Sequence, residues 1–131
     1  MIFALDTNTV VYAFKGIGRA KDSLLATPRD QVALPAVVAY EIEYGLARQP
    51  EAGRKRAQWE EFLAAVKVLP FDSEAALASA QIRAELEAAG QGIGPHDVLI
   101  AGTAVAHGAT LVTHNTREFG RIARLALVDW F

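Results

Sequence analysis

Cysteine is absent from the 131 residues. Disulfides, thiol nucleophiles and cysteine-ligated zinc are thereby excluded, and a reducing compartment suits the chain. Also missing is any uninterrupted apolar run of the roughly 18–20 residues that a membrane-spanning helix needs. The opening Met1-Ile2-Phe3-Ala4-Leu5 is apolar, but Asp6 interrupts it and no basic segment precedes it. No secretion signal is expected there, and the expected location is cytoplasmic. Neither sign of charge is in excess, since thirteen Lys and Arg stand against fifteen Asp and Glu for a formal −2. A protein that coats nucleic acid non-specifically is usually basic, so any nucleic-acid contact here has to be local. No repeat, low-complexity tract or linker divides the sequence, which is read as one domain over residues 1–131. What is plentiful is apolar side chain, at 52% of residues, ample for a single core.

These apolar residues fall into runs that alternate with helical patterns. Ile2–Leu5, Gln31–Leu34, Lys67–Leu69, Leu111–Val112 and Leu125–Val128 read as five short strands. Helices are predicted over Thr7–Phe14, Ala20–Ala26, Pro35 to about Arg48, and about Glu51 to Val66. The last of these carries Trp59, Phe62, Leu63 and Val66 on one face. Ser73 is the expected N-cap of a further helix ending at Gly90. Gly94-Pro95 opens the next, which Gly108 closes, and its middle, Val98-Leu99-Ile100-Ala101, is apolar all round and so is expected to be buried. A short helix over Arg117–Ile122 completes the set. Such alternation predicts an α/β domain, a parallel sheet of about five strands with helices on both faces.

Open sheets of this kind bind ligands beyond the C-terminal ends of their strands, and carboxylates recur there. Asp6 directly follows the first strand, where it also suits a helix N-cap. Glu41 lies about two turns into the helix after the second strand, and its neighbour Glu43, on a different face, reads as a solvated residue. Asp97 occupies the first turn of the most apolar helix, where a negative charge is favoured. Glu118 starts the short helix after the fourth strand. Each acid alone has an ordinary explanation in capping or solvation. Together they could share one rim, where their mutual repulsion calls for a cation, and hard oxygen donors suit Mg²⁺ or Mn²⁺. Magnesium takes only one or two protein carboxylates directly, so Asp6 and Asp97 are the expected ligands. Glu41 and Glu118 are expected to act through water or a second ion.

The segments around these acids resemble the four motifs of the PIN-domain family, specifically the VapC toxins of bacterial toxin–antitoxin modules. They are Leu5-Asp6-Thr7-Asn8, Tyr40-Glu41-Ile42-Glu43-Tyr44-Gly45, Gly94-Pro95-His96-Asp97-Val98-Leu99-Ile100-Ala101, and Thr113-His114-Asn115-Thr116-Arg117-Glu118-Phe119. The similarity extends to Val128-Asp129-Trp130. From Gln81 to Phe119 it is strongest toward enterobacterial plasmid-type members. One departure stands out: the fourth acid is often Asp in related members and is Glu118 here, so Asn115 is a second candidate for that position. The resemblance implies a three-layer PIN fold, a Mg²⁺-dependent endoribonuclease, a homodimer and a VapB-type antitoxin partner. It also suggests an antitoxin segment reaching into the site, and a structured tRNA, the initiator first of all, as the RNA.

The chemistry expected of such a site is in-line attack of an activated water on an RNA phosphodiester, leaving a 5′-phosphate and a 3′-hydroxyl. Thr7, Asn8, Thr113 and Asn115 are expected to hydrogen-bond the carboxylates and fix their orientation. Arg117, Arg121 and Arg124 recur every three to four residues and could form a basic edge for RNA, whereas Arg54-Lys55-Arg56 reads as a solvated helix face. Val37, Val38, Tyr40, Tyr44, Trp59 and Phe62 are mostly core, with some available to a dimer or an antitoxin helix. Rival readings are weaker. A haloacid dehalogenase-type phosphatase needs an acid where Asn8 stands. A receiver domain needs a phosphoacceptor Asp after the third strand and a late lysine, but Pro70-Phe71-Asp72 follows that strand and no lysine follows Lys67. A histidine nuclease needs a pair, and His96, His107 and His114 are not obviously paired. An inactive PIN module that only docks a partner would carry four repelling acids to no purpose.

Overall fold

The computed structural model describes residues 1–131. Five strands form one sheet, β1 (Phe3–Leu5), β2 (Val32–Pro35), β3 (Lys67–Leu69), β4 (Thr110–Val112) and β5 (Leu127–Val128). Seven α-helices alternate with them: α1 (Thr7–Lys15), α2 (Ala20–Leu25), α3 (Ala36–Ala47), α4 (Gly53–Ala65), α5 (Ser73–Ala88), α6 (Pro95–Ala106) and α7 (Thr116–Phe119). A 3-10 turn at Arg29–Gln31, not anticipated from sequence, leads into β2. The strand order is β3-β2-β1-β4-β5 and every pairing is parallel. The fold is the three-layer α/β architecture expected from the alternation.

Burial follows position in the sheet. Ala4, Leu5, Ala33, Leu34, Leu111 and Val112 in the middle strands are all 0% exposed, whereas edge strand β3 leaves Lys67 and Val68 open to solvent. Helix α6 is buried along much of its length, as its apolar composition required. It packs closely on α5, where Gly102 lies so near Ser79 that a Cβ would overlap its hydroxyl and backbone. No helix is long and apolar enough to cross a membrane.

Element boundaries depart from expectation where local hydrogen bonds compete. The cap of α5 is Asp72 rather than Ser73, because the Asp72 carboxylate accepts from the Ala75 N–H at 2.9 Å. Pro35 ends β2 and caps α3 instead of opening it. Helix α7 stops at Phe119, since Arg121 and Ile122 bond back three residues to Glu118 and Phe119. Leu125 continues that turn, so β5 begins only at Leu127.

The chain leaves β1 toward β2 on one side, while β4 arrives on the other. That reversal between β1 and β4 is the place where an open α/β sheet makes its crevice. Leu5 pairs with Val112, so the residues that follow them, Asp6 and Thr113, emerge side by side at this point.

Candidate active site

Asp6 sits at the mouth of that crevice, 5% exposed, with its N–H bonded to the Val112 carbonyl at 3.1 Å. It is also the N-cap of α1: one carboxylate oxygen, Oδ1, accepts from the Thr9 N–H at 2.9 Å. The capping and site roles therefore coexist, because capping occupies only one of its two oxygens. Burial raises its pKa above the usual 3.8, against hydrogen bonds from Thr113 and Thr9 that favour the charged form, and the charge of Glu41 adds to the rise. Thr113, fully buried, accepts the Asn115 N–H on its Oγ1 at 3.0 Å, leaving its single hydroxyl proton for Asp6.

Glu41 reaches the same region from α3. Its Oε1 accepts from the Thr7 hydroxyl at 2.8 Å, and its Oε2 stands 3.6 Å from Nδ1 of His96. Glu118 on α7 is steadied by the Asn115 amide, which donates to its Oε2 at 3.0 Å. Asp97, in the first turn of α6, connects the four. Its pKa is pushed from 3.8 up to about 6, first by burial and then by the charges of Glu41, Asp6 and Glu118, with His96 opposing. One carboxylate thus feels the other three.

The expected orienting residues divide. Thr7, Thr113 and Asn115 each bond a different carboxylate of the cluster, whereas Asn8, next to Thr7, is exposed on α1 and has no such bond. The arginines divide too. Arg117 is exposed, while Arg121 donates to the Gly92 carbonyl at 3.3 Å, and Arg124 reaches Gln81 and Glu85 on α5, both at 3.4 Å. Arg124 thus ties α5 to the chain after α7. The histidines form no catalytic pair: His107 faces Pro70 and Asp72, His114 faces Asp129, and only His96 stands by the acids.

Two features were not foreseen. A cavity of about 310 Å³ between α1, α3 and α4 borders Thr7 and Glu41 and is rimmed by Lys15 and Lys55. Lys15 lies on the helix that Asp6 starts, a spacing that could have signalled it. Glu43, read as solvated, accepts from the buried Trp59 indole N–H at 2.6 Å and from Arg56 at 3.0 Å. An indole buried to 0% exposure needs an acceptor, which is the reason for the correction. Arg56 is accordingly part of that network rather than a free member of a solvated face. Among the apolar candidates for a partner surface, Val38, Trp59 and Phe62 belong to the core, while Tyr40 and Tyr44 are 57% and 56% exposed.

A donor set made wholly of carboxylates, one of them with a pKa raised by burial and by the charges of the other three, fits a hard divalent cation. No three His, Asp or Glu side chains stand close enough to enclose an ion unaided. The oxygen chemistry of the donor set suits a cation that keeps several waters and takes one or two carboxylates directly.

A parallel α/β domain with four acids converging at its switch point has the layout of a metal-assisted hydrolase. The chain belongs to the PIN-domain family, whose match covers residues 3–125. It is 35% identical over 135 residues to Ribonuclease VapC2 of Rickettsia felis, covering 99% of this chain and 98% of that one. It is 34% identical over 128 residues to the tRNA(fMet)-specific endonuclease VapC of Salmonella typhimurium, at 98% and 97% coverage. Among solved structures, DNA-bound VapBC from Salmonella typhimurium superposes with a TM-score of 0.92 at 34% identity, covering 100% of this chain and 99% of that one. VapBC2 from Rickettsia felis, bound to a promoter DNA fragment, superposes with 0.91 at 33% identity over the whole of both chains.

Proposed function

We propose that this chain is a single-domain, divalent-metal-dependent endoribonuclease of the VapC type, the toxin of a toxin–antitoxin pair. The observation that carries the reading is the gathering of Asp6, Glu41, Asp97 and Glu118 at the β1–β4 reversal, with Glu41 anchored by Thr7 and facing His96 beside Asp97, and Glu118 held by Asn115. Full-length relatives named as ribonucleases, and VapBC structures of the same fold, support it. The RNA is a tRNA, by likeness to the relative named for tRNA(fMet). A VapB-type antitoxin is the partner, and the chain works as a homodimer in the cytoplasm. Tyr40 and Tyr44 are exposed apolar surface available to those contacts.

In this reading Asp6 and Asp97 hold the ion, Mg²⁺ by preference and Mn²⁺ as a substitute. When bound, it supplies an acidified water and offsets charge on the phosphate. Asp6 is fixed for that role by the Thr9 and Thr113 bonds. Glu41, anchored by Thr7, orients the attacking water and receives its proton. Glu118, held by Asn115, orients water or a second ion. Burial of Asp6 keeps bulk water from its carboxylate and strengthens its interactions, whereas Asp97 is only half-buried and stays open to water. Water attack leaves a 5′-phosphate and a 3′-hydroxyl.

The test is cleavage of end-labelled initiator tRNA by the purified protein. EDTA should stop it, Mg²⁺ should restore it, and Asp6→Ala or Asp97→Ala should abolish it. A 2′,3′-cyclic phosphate product would rule the mechanism out, since that end requires the RNA's own 2′-hydroxyl as nucleophile. In cells, expression should halt growth and either substitution should relieve it.

A further inference from the structure

The loop joining β4 to α7 is three residues long, Thr113 to Asn115. Its first and last side chains serve the acids, Thr113 at Asp6 and Asn115 at Glu118. The contacts of the middle residue run elsewhere. Nδ1 of His114 stands 2.9 Å from Oδ2 of Asp129, and because a carboxylate only accepts, the proton of that bond is on Nδ1. The His114 ring stacks on Phe131 with centroids 4.0 Å apart and planes 19° from parallel. Tyr12 of α1 meets both rings edge-on, at 6.2 Å and 5.1 Å.

Phe131 is itself fixed from several directions. Its N–H donates to Oδ1 of Asp129 at 2.8 Å, and its carbonyl accepts from the Arg19 N–H at 2.7 Å. Its ring lies against Gly18, whose φ of +64° suits glycine and where a Cβ would come within 3.0 Å of the ring. Asp129 therefore uses both oxygens, one for His114 and one for Phe131. Loss of some hydration works against its charge, but these bonds hold its carboxyl below the usual 3.8.

We propose that His114 is a positioning residue for the acidic site: held by Asp129 and Phe131, it sets the loop at which Thr113 meets Asp6 and Asn115 meets Glu118. The proposal rests on the reading of the four acids as the catalytic site. A three-residue loop cannot turn at its centre without moving both neighbours, and a displacement near 1 Å at a catalytic group is enough to impair the chemistry. His114 and Asp129 are both exposed, so the pair itself adds little to global stability. A purely structural role accordingly predicts no effect on turnover in a folded variant.

The experiment compares His114→Phe, which keeps the stack and loses the bond, His114→Asn, which keeps a donor at the Nδ1 position, and Asp129→Ala. Turnover and KM are measured separately on end-labelled tRNA at saturating Mg²⁺. Mn²⁺ binding is measured without RNA by electron paramagnetic resonance, and the Asn115 side-chain amide is followed by NMR. His114→Phe and Asp129→Ala should each lower kcat by roughly 10- to 100-fold with little change in KM. Their combination should be no worse than the poorer single, because both break one unit. Mn²⁺ should bind more weakly, the Asn115 amide resonances should move, and His114→Asn should recover part of the turnover. A folded His114→Phe with parental kcat and Mn²⁺ affinity overturns the proposal, as does a double variant whose loss is the product of the singles. If Asp129→Ala does not fold, His114→Phe alone decides. Asp97→Asn in the same assay separates the two levels: an inactive Asp97→Asn beside a fully active His114→Phe sinks only the positioning role, while an active Asp97→Asn sinks the acidic site as well.

Discussion

Replacing Asp97 by Asn should stabilise the metal-free protein while destroying its activity. The folded protein holds the Asp97 proton up to about pH 6, whereas the unfolded chain releases it near the usual 3.8. Between those values the unfolded state binds fewer protons, so stability falls as pH rises, and above about pH 6 the whole loss is present. A rise of this size corresponds to about 3 kcal/mol between charged and neutral forms, to be reduced for partial solvent access. Asn escapes that loss but forgoes the attraction of a first-turn carboxylate to the helix N-terminus, worth about 0.3–1 kcal/mol. Burial and repulsion together outweigh that attraction, leaving a net gain of about 1–2 kcal/mol at neutral pH, or about 3–8 °C in Tm for a domain of this size. Differential scanning calorimetry in EDTA at about pH 8 and again at about pH 4 reads the effect, which should shrink at the lower pH because both proteins are then neutral at this position. Mg²⁺ should raise the Tm of the parent and leave that of the variant nearly unmoved, since a ligand stabilises only the state that binds it. A variant that melts below the parent at the higher pH, or one whose advantage is the same at both pH values, would show that burial and the neighbouring carboxylates do not burden Asp97 as described.

The remaining predictions concern other parts of the fold. Glu43→Ala strips the buried Trp59 N–H of its acceptor and should cost about 1–3 kcal/mol in urea unfolding, with kcat of the folded fraction unchanged. Gly102→Ala forces a methyl group into Ser79 at the α5–α6 contact and should cost at least about 1–3 kcal/mol by the same assay, more if the helices cannot separate. Arg117→Ala should raise KM for tRNA and reduce the salt dependence of binding. Arg124→Ala, whose partners are Gln81 and Glu85, should leave KM unchanged and lower Tm by no more than a few degrees, as an exposed pair of this kind is worth about 0–1 kcal/mol.

Why the acids could be found in the sequence, and some of their companions could not, comes down to the range of the forces involved. Strands β1 and β4 announce themselves through short apolar runs, and a residue that directly follows such a run stands at the sheet's C-terminal rim whatever else happens. Asp6, and Thr113 beside it, are legible for that reason. Asp97 is legible because Pro95 marks the first turn of α6. Boundaries are less so, since the choice between Asp72 and Ser73 as a cap, or the late start of β5, turns on one hydrogen bond that a neighbour can take over. Side-chain partners across the fold are least legible of all. Glu43 has the local pattern of a solvated helix residue, yet Trp59, sixteen positions away, claims it once burial leaves the indole without water. Arg124 is spaced to share an edge with Arg117, yet α5 brings Glu85 within its reach. Asn8 stands next to Thr7 in the same motif, but successive helical positions diverge by about 100°, so Thr7 turns toward Glu41 while Asn8 turns to solvent. Sequence spacing therefore fixes which end of the sheet a residue approaches, and only tertiary packing decides whether its side chain arrives.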